Sequence, residues 1–216
     1  MISKRIREIA DLIDNKHSFI DIGCDHGYLA LMARKNGNES LIICSDNKKG
    51  PLSSAKKNLE NYNNILFILS DGLKEINVQT DVAVLAGMGF QTVRKIILDS
   101  TDYFRKYQQI IIQINQNVPV LRRWLMKHNF RIINEKMIFE YKYYEIIVVE
   151  NGTMSLNEEQ IFFGPCLMVE KSETFRDYYH SQLEKINKII SGLYKNHPEK
   201  TKLKMKALKI KKMLED

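Results

Sequence analysis

Four carboxylates stand at similar places along this chain. Asp21 and Asp25 bracket the turn in DIGCDHGY (21–28), Asp46 closes the apolar run LIICSD, and Asp71 opens an Asp-Gly step after ILFILS. An apolar run followed by a glycine-bearing turn and a helix is the strand-to-helix connection at which doubly wound sheets bind nucleotides, because glycines let backbone N–H groups approach a ligand. A dinucleotide fingerprint wants its second glycine where Asp25 stands, so a pyrophosphate would face two acids there. S-adenosylmethionine has no phosphate and carries a cationic ammonium and a cationic sulfonium, which suit such a turn. The expected donor contacts are Asp21, Gly23, Cys24, Asp25 and Gly27 from the first turn. Asp46, with Asn47 beside it, lies 19 residues after Gly27, where a carboxylate accepts both ribose hydroxyls. Asp71 is placed to accept from the adenine amine, and Gly72 leaves room for the ring. Ala86-Gly87-Met88-Gly89 follows a fourth apolar run, and its small residues let an acceptor and a methyl donor approach to reacting distance. Taken singly, each turn has a plainer reading as a helix cap or an ordinary Asp-Gly turn. Acids at the ends of three successive strands converging on one crevice are what distinguish the set.

The elements that must present these residues follow from periodicity. Ile2, Ile6, Ile9, Leu12 and Ile13 fall at helical spacing and predict an amphipathic leading helix over 2–13, with Ser3 or a residue before it as the cap. Runs beginning at Phe19, Leu41, Ile65, Asp81 and Gln108 alternate with helix signals, a pattern that means a parallel sheet. The alternation stops near residue 130. FRIINEKMIFEYKYYEIIVVENG reads as two strands, 130–140 and 142–150, joined too closely for a crossover and therefore antiparallel. The fold class is thus α/β: a Rossmann-like, mostly parallel seven-stranded sheet with an antiparallel edge hairpin. Beyond Gly152 the signals turn helical. Asn157 and Gln160 form a capping-box pattern, Gly164-Pro165 is a break, and apolar residues step by threes and fours from Phe175 to Leu193 and again from Leu203 to Leu214. The expected division is a donor-binding domain over 1–152 and a helical, coiled-coil-like hairpin over 153–216.

Apolar residues make up 44% and charged residues 27% of the 216, an ordinary globular mix that argues against disorder throughout. No stretch reaches the ~20 apolar residues that cross a bilayer, and the start lacks a signal-peptide core, so a cytoplasmic protein without a membrane partner is expected. Cys24, Cys44 and Cys166 are odd in number and never in CxxC spacing, which gives reduced thiols and no metal site. The net charge is +7, and the last 22 residues hold eight Lys against three acids. That density suits phosphate contacts, although a solvated helix face reads the same way.

DIGCDHGYL, SDGL (70–73), AGMG (86–89), LRRWL (121–125), KYYEIIVVE (142–150), FFGP (162–165) and the terminal helical hairpin together resemble the bacterial TrmK family, the tRNA (adenine-22 N1)-methyltransferases. The likeness spans essentially the whole chain. It implies a class I methyltransferase fold, S-adenosylmethionine as cofactor, and methylation of adenine N1 in the tRNA D-loop region with help from the helical C-terminal part. In that frame Asp25 is the first candidate to stabilise the cationic product, His26 and Tyr28 are hydrogen-bonding or stacking partners of the base, and Gly87 and Met88 line the transfer point. Arg122, Arg123, Lys202, Lys204 and Lys206 are the expected RNA contacts, and the chain is expected to act as a monomer. Phe90 stands where the family usually has a second glycine, Ile114 where it usually has proline, and Cys24 where serine is common. The first bears on the shape of the acceptor pocket. A small-molecule methyltransferase whose basic hairpin dimerises, and a non-catalytic tRNA-binding module with a decayed donor site, are the competing readings; a dehydrogenase is disfavoured by the acidic turn.

Overall fold

The computed structural model describes residues 2–194 and 196–215. Four parallel strands and three helices come first: β1 (Phe19–Ile22), α2 (Tyr28–Lys35), β2 (Ile42–Asp46), α3 (Lys49–Asn58), β3 (Ile65–Leu69), β4 (Val82–Met88) and α4 (Phe90–Asp99), preceded by α1 (Lys4–Ala10). A short α5 (Thr101–Phe104) leads to β5 (Gln109–Ile114), α6 (Val118–Lys127) and the hairpin of β6 (Phe130–Glu140) with β7 (Lys142–Asn151). The seven strands lie in the order β3-β2-β1-β4-β5-β7-β6. β1 to β5 are parallel, while β7 runs antiparallel to both β5 and β6. β1 and β4 are neighbours although three strands apart in sequence, so the connections leaving their carboxyl ends diverge and open a crevice.

Strands buried on both faces explain the near-continuous apolar runs. Ile20, Ile43, Ala83, Ile110 and Ile112 face one core with Val93, Ile97 and Leu121, whereas Phe19, Ile42, Val82 and Ile111 face a second with Ile9, Leu29 and Ala55. The leading helix is shorter than its periodicity predicts. Ser3 caps it by accepting from Ile6 N–H, but Leu12 and Ile13 bond three residues back, to Ile9 and Ala10, so the last turn tightens while Ile13 stays buried.

Beyond the sheet come α7 (Glu158–Phe163), α8 (Leu167–Glu170), α9 (Glu173–Gly192) and α10 (Pro198–Glu215). Asn157 and Gln160 make the reciprocal capping box. The helices build their own core: Phe163, Leu167, Phe175, Tyr179, Ile186, Ile210 and Met213 pack with Met137 of β6. Ile189 remains exposed, so the apolar seam expected along α9 is broken at that position.

Candidate active site

The carboxyl ends of β1, β2 and β4 surround a cleft of about 650 Å³, lined by Asp21, Gly23, Cys24, Asp25, Tyr28, Asp46, Asn47, Ala86, Gly87 and Met88 among others. A second cleft of about 530 Å³ continues past β3, with Asp71, Gly72, Leu73 and Ile96 in its wall. Gly23, Asp46, Asn47 and Met88 belong to both, so the two are halves of one groove. The nine donor-contact residues expected from the first three turns therefore fall as follows: eight line the groove, and Gly27 does not. Gly27 instead lets α3 approach, since a Cβ there would sit 2.9 Å from Leu59 Cδ1 and 3.0 Å from Ala55 Cβ.

Asp21 is the electrostatic centre of this groove. It is 5% exposed, and burial together with the neighbouring charges of Asp46 and Asp25 pushes its carboxyl up to about 7. Asp46 accepts from the Asp25 N–H at 3.2 Å and from the Lys48 N–H at 2.9 Å, which fixes the carboxylate while leaving lone pairs for a diol. Asp25 holds a left-handed backbone (φ 49°), a sparsely populated state for a non-glycine residue. Gly23 has φ 79°, a backbone state that glycine adopts without strain, and the terminal methyl of Met88 lies over it. Three acids crowding a groove, one of them held near neutrality for want of a counterion, fit a cationic ligand and oppose a diphosphate. Asp71 is half exposed, and an ion pair with Lys74 keeps its carboxyl below the usual range.

The Ala86–Gly89 loop is held by residues that periodicity alone does not single out. Gln113, fully buried on β5, accepts at Oε1 from the Gly87 N–H (3.1 Å) and from Arg5 Nη1 (2.8 Å). Asn115 donates its Nδ2–H to the Gly87 carbonyl at 2.9 Å, and its own N–H to the Met88 carbonyl at 3.0 Å. These bonds stabilise a bulge between Ala86 and Met88 that breaks the β4–β5 register and leaves Gly87 at φ 77°. The signal for them was the polar interruption in the apolar run QIIIQIN.

Tyr28 opens α2 and lines the groove at 42% exposure. His26 is outside the lining; its ring lies over Tyr28, 5.5 Å between centroids at 29°, and its Nε2 is 3.6 Å from Asp25. Cys24 is buried, and its hydrogen bond with Cys44 and its burial push the thiol upward, which keeps it neutral. Phe90 lines neither cleft. Its ring meets Trp124 edge-on at 6.5 Å, packed against the apolar core.

Arg122 corrects an expectation. It has no exposed surface; its Nε donates to Glu135 at 2.6 Å and its Nη2 pairs with Glu145, so it cannot meet RNA. Burial works against its charge and the two carboxylates outweigh it, raising the guanidinium pKa. Arg123 is exposed and forms a two-bond fork with Glu158 at 2.8 Å. Lys202 and Lys206 share with Arg123 a groove of about 550 Å³ between α6, α7 and α10, and Lys204 is exposed on α10 outside it. Among the described residues no group of His, Cys, Asp and Glu is arranged to hold a metal, and no helix is long and apolar enough to cross a membrane.

A seven-stranded sheet of this order with an acidic groove at its switch point defines a Rossmann-like methyltransferase. Residues 19–215 match the family described as TrmK, tRNA (adenine(22)-N(1))-methyltransferase, and the chain belongs to that family. It is 30% identical to the tRNA (adenine(22)-N(1))-methyltransferase of Bacillus subtilis over 96% of this chain and 92% of that one. A putative tRNA (m1A22) methyltransferase of Streptococcus pneumoniae superposes with a TM-score of 0.90 at 32% identity, covering 99% of this chain and 100% of the other. The same Streptococcus protein has also been solved in complex with S-adenosyl-L-methionine, with a TM-score of 0.87 over 99% of this chain and 100% of the other at 31% identity.

Proposed function

We propose that the chain carries out its family's reaction, methylation of N1 of adenine 22 in tRNA, by positioning two substrates across the Gly23–Met88 boundary of the groove. S-adenosylmethionine supplies an electrophilic methyl on a cationic sulfonium. Asp21 takes the ammonium group of that donor, Asp46 its ribose hydroxyls, and Asp71 with Gly72 the adenine edge. Adenine N1 is a neutral lone pair at pH 7, so no residue has to remove a proton before attack. Most of the acceleration then comes from orientation, which supplies up to ~7–11 kcal/mol. Gln113 and Asn115 contribute by fixing the Gly87 peptide against which the base is seated. Positive charge develops on the adenine ring as the methyl moves, and Asp25 is the carboxylate placed to stabilise it. Tyr28 offers a face on which the base stacks once it has left the RNA helix, at an unstacking cost of a few kcal/mol. Arg123, Lys202, Lys204 and Lys206 hold the RNA backbone meanwhile. The enzyme works as a single chain in the cytoplasm.

The observation that carries this reading is the buried Asp21 between Asp25 and Asp46, a pocket with charge for a cation. Incubation with unmodified tRNA and labelled donor, followed by nucleoside mass analysis, tests it. The expected product is N1-methyladenosine; label found only as N6-methyl or 2′-O-methyl nucleosides overturns the assignment.

A further inference from the structure

The hairpin of β6 and β7 reaches past the rest of the sheet. Ile112 of β5 stands opposite Ile147 of β7, and carrying that register to the end of β5 sets Ile114 against Glu145. Residues 142–144 therefore run beyond the carboxyl end of β5, by ~10 Å at ~3.3 Å per residue. Because β7 is antiparallel to both β5 and β6, the tip stands at the same end of the sheet as the groove. Glu140, the last residue of β6, accepts from the Lys4 N–H at 2.6 Å and the Arg5 N–H at 3.3 Å, and Ser3, Arg5 and Ile6 line the groove. The tip is thereby fastened to the groove's lip through α1. Ile138 and Tyr144 pack on the α1 side, whereas Met137 and Tyr143 pack with the terminal helices, so the hairpin has the groove's lip on one face and the lysine-bearing helices on the other.

One residue makes the turn. Glu140 pairs with Lys142, and Tyr141 between them has φ 62° and is 97% exposed. Glycine and asparagine take this backbone state readily, whereas a bulky aromatic residue is an outlier in it. The ring buries nothing in return, so folding does not account for a tyrosine here. Phe139 nearby is half exposed, and the Lys142 ammonium lies 5.0 Å from the Tyr144 centroid. No carboxylate among the described residues pairs with the side chain of Lys4 or Lys142, since Glu8 is taken by Lys136 and Glu140 by backbone N–H groups. An exposed ring flanked by cations is the arrangement on which unpaired nucleobases stack.

We propose that Tyr141 stacks on a tRNA nucleobase beside the target adenine, filling the gap left when the adenine turns into the groove, with Lys4 and Lys142 on the adjoining phosphates. This rests on the tRNA reading above. Tyr141 is then a positioning residue: its ring touches neither the donor nor adenine N1, and it acts by keeping the strand open.

Substitution at the tip separates stacking from folding, because asparagine relieves the backbone while removing the ring. Wild type, Tyr141→Asn, Tyr141→Phe and Tyr141→Trp are compared for kcat/KM on unmodified tRNA, donor Kd and melting temperature. Loss of one base–aromatic stack corresponds to about a 5- to 150-fold fall. Tyr141→Asn should show that fall in kcat/KM, with donor Kd within about twofold and a melting temperature equal to or above the parent's. Tyr141→Phe and Tyr141→Trp should stay within about threefold of wild type. Lys142→Ala should reduce the salt slope of tRNA binding by about one, and an unchanged slope overturns the phosphate contact. Turnover of Tyr141→Asn within about twofold of wild type overturns the proposal, as does an equal loss in Tyr141→Phe, which assigns the effect to the hydroxyl. A melting temperature that falls together with activity also overturns it, since the residue then serves the turn. So does self-association of the parent that Tyr141→Asn abolishes without any change on tRNA, which makes the tip a contact between copies. Absence of tRNA methylation by the wild type is a separate outcome, which defeats the tRNA reading and this proposal with it.

Discussion

The Gln113 side-chain oxygen accepts the Gly87 N–H at 3.1 Å, tying the end of β4 to the interior of β5 at the point where the two strands fall out of register. A fully buried carboxamide that also bonds the Ile114 carbonyl has no freedom to follow a moving loop. Gln113→Ala removes the acceptor and leaves two donors, so we expect kcat to fall 10- to 100-fold, on the order of the 1–3 kcal/mol that an unsatisfied buried group costs, with donor Kd moving much less. Single-turnover methylation beside calorimetry checks this; equal losses in both would mean that the glutamine only supports the donor pocket.

Donor affinity is expected to depend on pH through Asp21. With its carboxyl near 7, the unliganded protein is half protonated at neutrality, while an ammonium partner requires the ionised form. Donor Kd should weaken roughly tenfold per pH unit below 7 and level off above it, with a proton released on binding. Asp21→Asn should flatten the profile and weaken binding.

The same group acts on stability with the opposite preference. Its folded pKa lies above the ordinary 3.8, so between these values the native state holds a proton that the unfolded chain has lost. The contribution of Asp21 is full below pH 3.8 and drains away as pH rises through 7. Above pH 7 the unliganded Asp21→Asn protein should therefore melt higher than the parent. A lower melting temperature there would show that the carboxylate has a partner.

Asp46→Ala should weaken donor binding by at least tenfold, whereas Asp25→Asn should lower turnover more than affinity, because a charge that matters only as the base becomes cationic adds little to the ground state. Calorimetry and initial rates separate the two. Unchanged donor affinity in both Asp46→Ala and Asp21→Asn contradicts the map of the groove.

Breaking the buried Arg122 pair removes a counterion from two carboxylates. Arg122→Ala or Arg122→Met should destabilise by about 3–5 kcal/mol or prevent folding, while Arg123→Ala should leave the melting temperature within about a degree or two and weaken tRNA binding uniformly across sequences. Thermal melts and tRNA titrations over a salt series distinguish them.

The two arginines of LRRWL also show where sequence reading ends. Both are basic and adjacent, on a helix whose apolar pattern is clear, yet one is sealed between strands and helices and its neighbour is in solvent. The partners that decide this, Glu135 and Glu145, lie on a hairpin whose pairing no local pattern reveals. The first four strands were legible because their apolar runs lead into an acid or a glycine, as in FIDIG and IICSD. The acidic turns were legible for the same reason. Arg5 and Gln113 were not: on a single sequence, the polar face of a short helix and a glutamine in a strand look like solvated positions. Only the bulge between the parallel strands β4 and β5, with Arg5 reaching in from α1, brings them together at the Gly87 peptide.

Gly164 has φ 95°, and a methyl there would stand 2.6 Å from Arg122 Nη2 and 2.7 Å from Glu135 Oε2. The turn that leads from the sheet into the helices therefore lies directly on the buried Arg122–Glu135 pair, so any side chain placed at 164 has to displace an ion pair that nothing else can satisfy, and the route the chain takes out of the sheet is tied to the survival of that pair.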